Sequence, residues 1–112
     1  MTLALRQFKA EVFQALGHPT RIAIVDALRG CELTAGMIIS QLGLEQANAS
    51  QHLSVLRSRR IVTTRTAGTQ VYYSLRDPVI LELRDVLRRY FNTHRSEMLS
   101  LLRDVEAEEV LK

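Results

Sequence analysis

The most distinctive chemistry in this chain of 112 residues lies between positions 46 and 57. Gln46, Asn48, Ser50, Gln51, Ser54 and Arg57 carry amides, hydroxyls and a guanidinium, groups that exchange hydrogen bonds with base edges and phosphates. Ala49, Leu53 and Leu56 are interleaved with them at spacings of four and three, which predicts one apolar face of a helix running from about Gln46 to Arg59. The apolar face is expected to bury and the polar face to meet a partner. Between residues 45 and 76, Arg57, Arg59, Arg60, Arg65 and Arg76 stand against Glu45 alone, a local net charge of +4, whereas the rest of the chain sums to −1. Basic charge confined to one region suits a polyanion such as double-stranded DNA. A solvated helix end accounts equally for Arg57, Arg59 and Arg60 taken singly, because cations suit the carbonyl end of a helix. Farther along, Arg65, Thr66, Thr69 and Gln70 flank a turn signal at Ala67-Gly68 and are expected to reach phosphates or a minor groove.

No comparable set points to catalysis. The glycines at 17, 30, 36, 43 and 68 form neither GxGxxG nor a P-loop, GxSxG and HExxH are absent, and no nucleophile has a visible base beside it. The reading is therefore of a protein that is not an enzyme, with no catalytic residue and no cofactor. Cys31 is the single thiol, so an intrachain disulfide and any cysteine-based zinc module are excluded and a reducing compartment is expected. It reads either as a small apolar residue or as a redox site, its thiolate favoured by a nearby helix N-terminus. Oxidation would then need a second Cys31 across a dimer or a small thiol.

Several elements must hold these groups in place. Leu5, Phe8, Val12, Phe13 and Leu16 predict an amphipathic helix that stops at Gly17. Pro19 suits the first turn of a second, short and buried helix carrying Ile22, Ile24, Val25 and Leu28 as far as Gly30. Thr34 is a candidate cap for a third helix ended by Gly43. The short turn Leu42-Gly43-Leu44-Glu45 then joins it to the polar helix as a helix-turn-helix. Ile61 to Thr66 and Gln70 to Leu75 read as a hairpin. Asp77-Pro78 opens one last long helix with an apolar stripe through Ile80, Leu83, Leu87, Tyr90, Phe91, His94, Met98, Leu101 and Val105. A stripe of about seven turns exceeds what a small domain can cover, and a partner helix is the economical explanation. The acidic tail, Glu106 to Lys112, is expected to fray.

The composition, 46% hydrophobic and 24% charged, is that of a soluble globular protein rather than a disordered or collagen-like one. No apolar run approaches the ~20 residues of a membrane span, and Arg6, Lys9 and Glu11 break up the N-terminal segment. The expectation is a cytoplasmic protein that neither crosses nor contacts a membrane. It is read as a single domain, residues 1–112, mainly α with a small β-hairpin (α+β): a winged helix-turn-helix.

At this point a family resemblance becomes specific. Phe13-Gln-Ala-Leu-Gly-His-Pro-Thr-Arg-Ile22, Leu44-Glu-Gln-Ala-Asn-Ala-Ser-Gln-His-Leu-Ser-Val-Leu56 and Gly68-Thr-Gln-Val-Tyr-Tyr-Ser-Leu75 resemble, in order, three segments of the ArsR/SmtB family of dimeric transcription repressors. The resemblance implies a homodimer paired through its first and last helices. Each recognition helix would enter a major groove with Gln46, Asn48, Ser50 and Gln51 foremost. His52 matches a common family histidine, as a phosphate contact or a structural hydrogen bond, and His18 is expected to cap or pack at a helix start. Glu45 replaces the family's usual Ser cap, and its carboxylate is expected to turn away from DNA. The family's thiolate metal site, Glu-Leu-Cys-x-Cys, falls here on Glu32-Leu33-Thr34-Ala35-Gly36, so the soft ligands are missing. A second family site uses Asp-x-His and His-x-x-Glu. His94 and Glu97 fit the latter half, but Leu81 and Leu83 fall on the former, too few ligands for a tight zinc site. No metal is expected. The competing readings are a sensor repressor answering through Cys31 or a metal near His94, and a winged helix that binds proteins instead of DNA.

Overall fold

The computed structural model describes residues 2–111. Helix α1 spans Leu3–Leu16, with the Thr2 hydroxyl accepting from the Leu5 N–H at 3.2 Å. Helix α2 spans Pro19–Ala27, capped by His18, whose Nδ1 accepts from the Thr20 N–H at 3.1 Å. Strand β1 is the pair Leu33–Thr34, and α3 follows at once as Ala35–Leu42. Thr34 caps α3 through its hydroxyl, and Gly43 closes it in the left-handed conformation, φ 64°, which glycine adopts without the Cβ penalty. Helix α4 spans Gln46–Ser58, and strands β2 (Val62–Ala67) and β3 (Gln70–Leu75) form the hairpin. Ala67 pairs with Gln70 across a two-residue loop that begins with Gly68 at φ 62°, the Gly-first arrangement of a tight hairpin.

The sheet is antiparallel, in the order β1-β3-β2, with Leu33 opposite Tyr73 and Thr34 opposite Tyr72. The sequence reading missed β1. Two residues carry no alternation, and their pairing lies some forty positions away. Ala15, Ile24, Val25, Leu28, Leu33, Ile38, Leu53, Leu56, Ile61 and Val62 are buried as one aliphatic core. Ile80 and Leu81 pack against it at the start of α5. Helix α2 ends at Ala27 rather than Gly30, and Ile22 is exposed. It is therefore buried along one side only.

The chain divides between Leu81 and Glu82 into two compact units. The last helix differs from expectation at two points. Asp77 accepts from the Val79 N–H at 3.0 Å, which holds Pro78 and Val79 in a turn, so α5 begins only at Ile80 and runs to Thr93. His94 separates α5 from α6, Arg95–Leu111. The helical bonds His94 N–H to Tyr90 C=O (3.2 Å) and Met98 N–H to His94 C=O (3.0 Å) persist through the break. Beside it the Thr93 hydroxyl donates to the Arg89 carbonyl at 2.9 Å, a side-chain competitor that bends helices. The acidic end lies within α6 as far as Leu111, and Lys112 lies outside the described residues.

Candidate nucleic-acid interface

Helix α4 separates its two faces completely. Ala49, Leu53 and Leu56 are buried, whereas Gln46, Asn48, Ser50, Gln51, Ser54 and Arg57 are exposed. Helix α3 packs beside it across Gly43-Leu44-Glu45, so the polar face is presented by a fixed helix pair. Glu45 makes no capping hydrogen bond. Its carboxylate accepts from the Asn48 amide at 3.5 Å, one turn along the same helix. One amide hydrogen of Asn48 is thus directed to this carboxylate.

At the wing, Thr66, Thr69 and Gln70 are exposed around the loop. Arg65 is set back from the tip, paired across the hairpin with Tyr72. Its Nε donates to Glu32 Oε2 at 2.7 Å, and the guanidinium lies 4.9 Å from the centre of the Tyr72 ring. A phosphate at Arg65 would therefore meet a guanidinium that already carries one anion. Arg59 is committed elsewhere, 3.3 Å from Glu11 of α1. Arg60 adopts φ 60°, closing α4 in a conformation that normally favours glycine.

His52 is half-buried, and its Nδ1 accepts from Arg21 Nε at 3.2 Å. The His18 ring lies 4.3 Å from it, centre to centre. Burial, then the neighbouring His18 and the Arg21 cation, push the His52 pKa below its ordinary 6.5. Arg21 also donates to the carbonyls of Gln14 (3.3 Å) and Ala15 (3.2 Å). One guanidinium therefore ties the end of α1 to the recognition helix. Sequence reasoning missed this role, since Arg21 entered only as part of a matching segment and its partner lies 31 positions away.

The structure brings the residues of α4 onto one surface but leaves the sensor candidates apart from it. Cys31 is exposed, and its thiol donates to the Ala27 carbonyl at 3.2 Å. The helix end beside it is the carbonyl end of α2, opposite in polarity to the N-terminal setting expected. His94 Nδ1 lies 3.7 Å from Glu97 Oε2. Among the described residues, no three His, Cys, Asp or Glu side chains gather as a metal-binding group. Among them also, no helix is long and apolar enough to cross a membrane.

Comparison with known proteins gives this surface its setting. The helix-turn-helix domain family matches residues 16–65. The HTH-type transcriptional regulator Rv0081 of Mycobacterium tuberculosis is 38% identical over 104 residues, 92% of this chain and 91% of that one. Its crystal structure superposes with a TM-score of 0.76, at 36% identity, over 88% of this chain and 99% of that one. A transcriptional repressor, the SmtB homolog of Synechocystis, is 36% identical over 83 residues, 74% of this chain and 63% of that protein. The homodimeric winged helix-turn-helix DNA-binding domain of Mb0332 from Mycobacterium bovis, a possible ArsR-family transcriptional regulator, is similar at a TM-score of 0.73 and 28% identity, over 81% of this chain and 84% of that one. These relatives are regulators rather than enzymes. From its sequence and its winged helix alike, the chain belongs to the ArsR/SmtB family of DNA-binding transcriptional regulators.

Proposed function

We propose that this protein is a cytoplasmic homodimeric repressor of an imperfect palindromic operator, its 112 residues acting as one DNA-binding and dimerisation domain. The observation that carries the reading is the split of α4 into a buried apolar face and an exposed face of amides, hydroxyls and one arginine. Gln46, Asn48, Ser50 and Gln51 read base edges, Ser54 and Arg57 follow the backbone, and the wing residues Arg65, Thr66, Thr69 and Gln70 hold the flanking strand. Dimerisation draws on two apolar surfaces. Leu5, Phe8 and Phe13 are exposed on α1, and Leu87, Phe91, Leu101 and Val105 are exposed on α5 and α6. A second copy covering them removes large apolar side chains from water, at roughly 25 cal/mol per Å². Two recognition helices then meet half-sites about 34 to 36 Å apart, or a multiple of that. Repression follows where the bound dimer excludes polymerase from a promoter.

Titration of the protein into a fluorescent duplex of its own upstream region, against a scrambled duplex, tests this. Selective binding at about 10⁻⁸ M or tighter near physiological salt is expected. Equal, weak binding to both duplexes would remove the operator reading. A second reading, in which oxidation of Cys31 releases the operator, draws on the exposure of its thiol; an added oxidant that leaves binding unchanged would dismiss it.

A further inference from the structure

A cleft of about 600 Å³ opens between the start of α2 and the first half of α4. His18, Thr20 and Arg21 line one side, and Asn48, Gln51 and His52 the other. We propose that this cleft seats one phosphate of the DNA backbone, held by Thr20 and Arg21 from outside the helix-turn-helix together with the Nε2–H of His52. The inference rests on the DNA reading made above and adds to it a binding site on α2.

The hydrogen bonds fix which atoms are donors. His18 Nδ1 accepts from the Thr20 N–H, and His52 Nδ1 accepts from Arg21 Nε. An imidazole nitrogen that accepts carries no hydrogen, so in each neutral ring the hydrogen sits on Nε2 and that atom can only donate. Arg21 is always charged, and its NH1 and Nε are engaged by Gln14, Ala15 and His52. These contacts hold the guanidinium at the cleft without neutralising it. The Thr20 hydroxyl and the Gln51 amide add further donors. The one carboxylate lining the cleft, Glu45, is met by the Asn48 amide at 3.5 Å. Apart from that carboxylate, the cleft offers N–H and O–H donors around one permanent cation, which suits a phosphodiester oxygen. Continuity argues for DNA as its source, since Asn48 and Gln51 belong both to this cleft and to the exposed reading face of α4. A duplex read by that face brings its flanking backbone to the cleft.

The test uses the full-length protein with the operator and scrambled duplexes, by fluorescence anisotropy over a salt series. Thr20→Val and His52→Leu each remove a donor to phosphate. Each is expected to weaken both duplexes by the same factor, about tenfold, with the operator-to-scrambled ratio unchanged. His52→Gln returns an N–H near the Nε2 position and is expected to recover most of the loss. Removing the charge by Arg21→Gln should also lower the salt slope by about 0.9, whereas Thr20→Val leaves the slope alone. Unchanged affinity in Thr20→Val, or a loss confined to the operator duplex, would overturn the phosphate seat. If the unaltered protein bound neither duplex, the DNA reading would fail by itself. Titration with inorganic phosphate would then decide the site: NMR shifts confined to the His18 and His52 rings would establish an anion site of another origin and overturn the backbone assignment.

Discussion

Arg65 offers the sharpest test of the wing, because its present partner is visible. Its guanidinium is 2.7 Å from Glu32, and the two side chains are 58% and 42% exposed. An ion pair in that setting contributes about 0.2 to 1 kcal/mol. If the wing meets the backbone as proposed, Glu32 and a phosphate share this one cation, and Glu32 weakens its attraction for the phosphate. Glu32→Gln is therefore expected to tighten binding to any duplex by up to about fivefold, the equivalent of 1 kcal/mol. Arg65→Gln is expected to weaken all duplexes and to flatten the dependence of log K on log salt by about 0.9, the value for one neutralised phosphate. The double variant separates competition from a general charge effect. If Glu32 acts by occupying Arg65, Glu32→Gln gains nothing once Arg65 is gone. Anisotropy titrations of the four proteins at several salt concentrations supply the cycle. An equal gain from Glu32→Gln in both backgrounds, or an unchanged slope in Arg65→Gln, would refute the competition.

Other expectations follow from the same geometry. Gln51→Ala removes an exposed amide of α4 and should reduce the preference for operator over scrambled duplex by about tenfold, since one good base contact discriminates by about 1 to 3 kcal/mol; an unchanged ratio in a competition assay would remove Gln51 from the reading set. Arg60 holds φ 60°, a conformation costing a non-glycine residue roughly 1 kcal/mol, so Arg60→Gly should raise the urea midpoint without changing the slope, and a lowered midpoint would contradict this. Leu56 is fully buried in the core, and Leu56→Ala should cost about 2 to 5 kcal/mol in the same denaturation experiment. Because the His52 pKa is depressed in the folded protein, the unfolded chain takes up the proton first as pH falls below 6.5. The stability from this group is fully present above 6.5 and is lost as pH falls through the folded value. Stability measured downward from pH 7.5 should decline more steeply in the parent than in His52→Gln, and parallel curves would contradict the linkage.

The parts of this fold that local chemistry dictates were legible in the sequence. The Thr34 cap, the Gly43 stop, the His18-Pro19 start and the Gly68 hairpin each depend on a few neighbouring residues, and the apolar spacing on α4 marks which face buries. The rest depends on distant pairings. Thr34 looks like a helix cap alone until Tyr72 is beside it, and Arg65 looks like a spare cation until Glu32 closes on it. Arg21 shows no periodicity that would mark its reach to His52. The break at His94 escaped because the apolar stripe passes through it unchanged, while the Thr93 hydroxyl acts on a carbonyl rather than on the pattern. In the candidate site, residue types indicated what could touch DNA, and only the fold disclosed which of them already hold something else.

Thr34 has a wider consequence. Its backbone lies in the sheet opposite Tyr72, while its hydroxyl begins the helix that packs on α4. The wing and α4 are therefore both referred to Thr34, the wing through its strand pairing with Tyr72 and α4 through the helix that the Thr34 hydroxyl caps. In the proposed repressor this shared anchor couples the wing to the reading helix, so a sequence that stiffens or narrows the flanking minor groove is expected to alter affinity at base pairs no side chain touches.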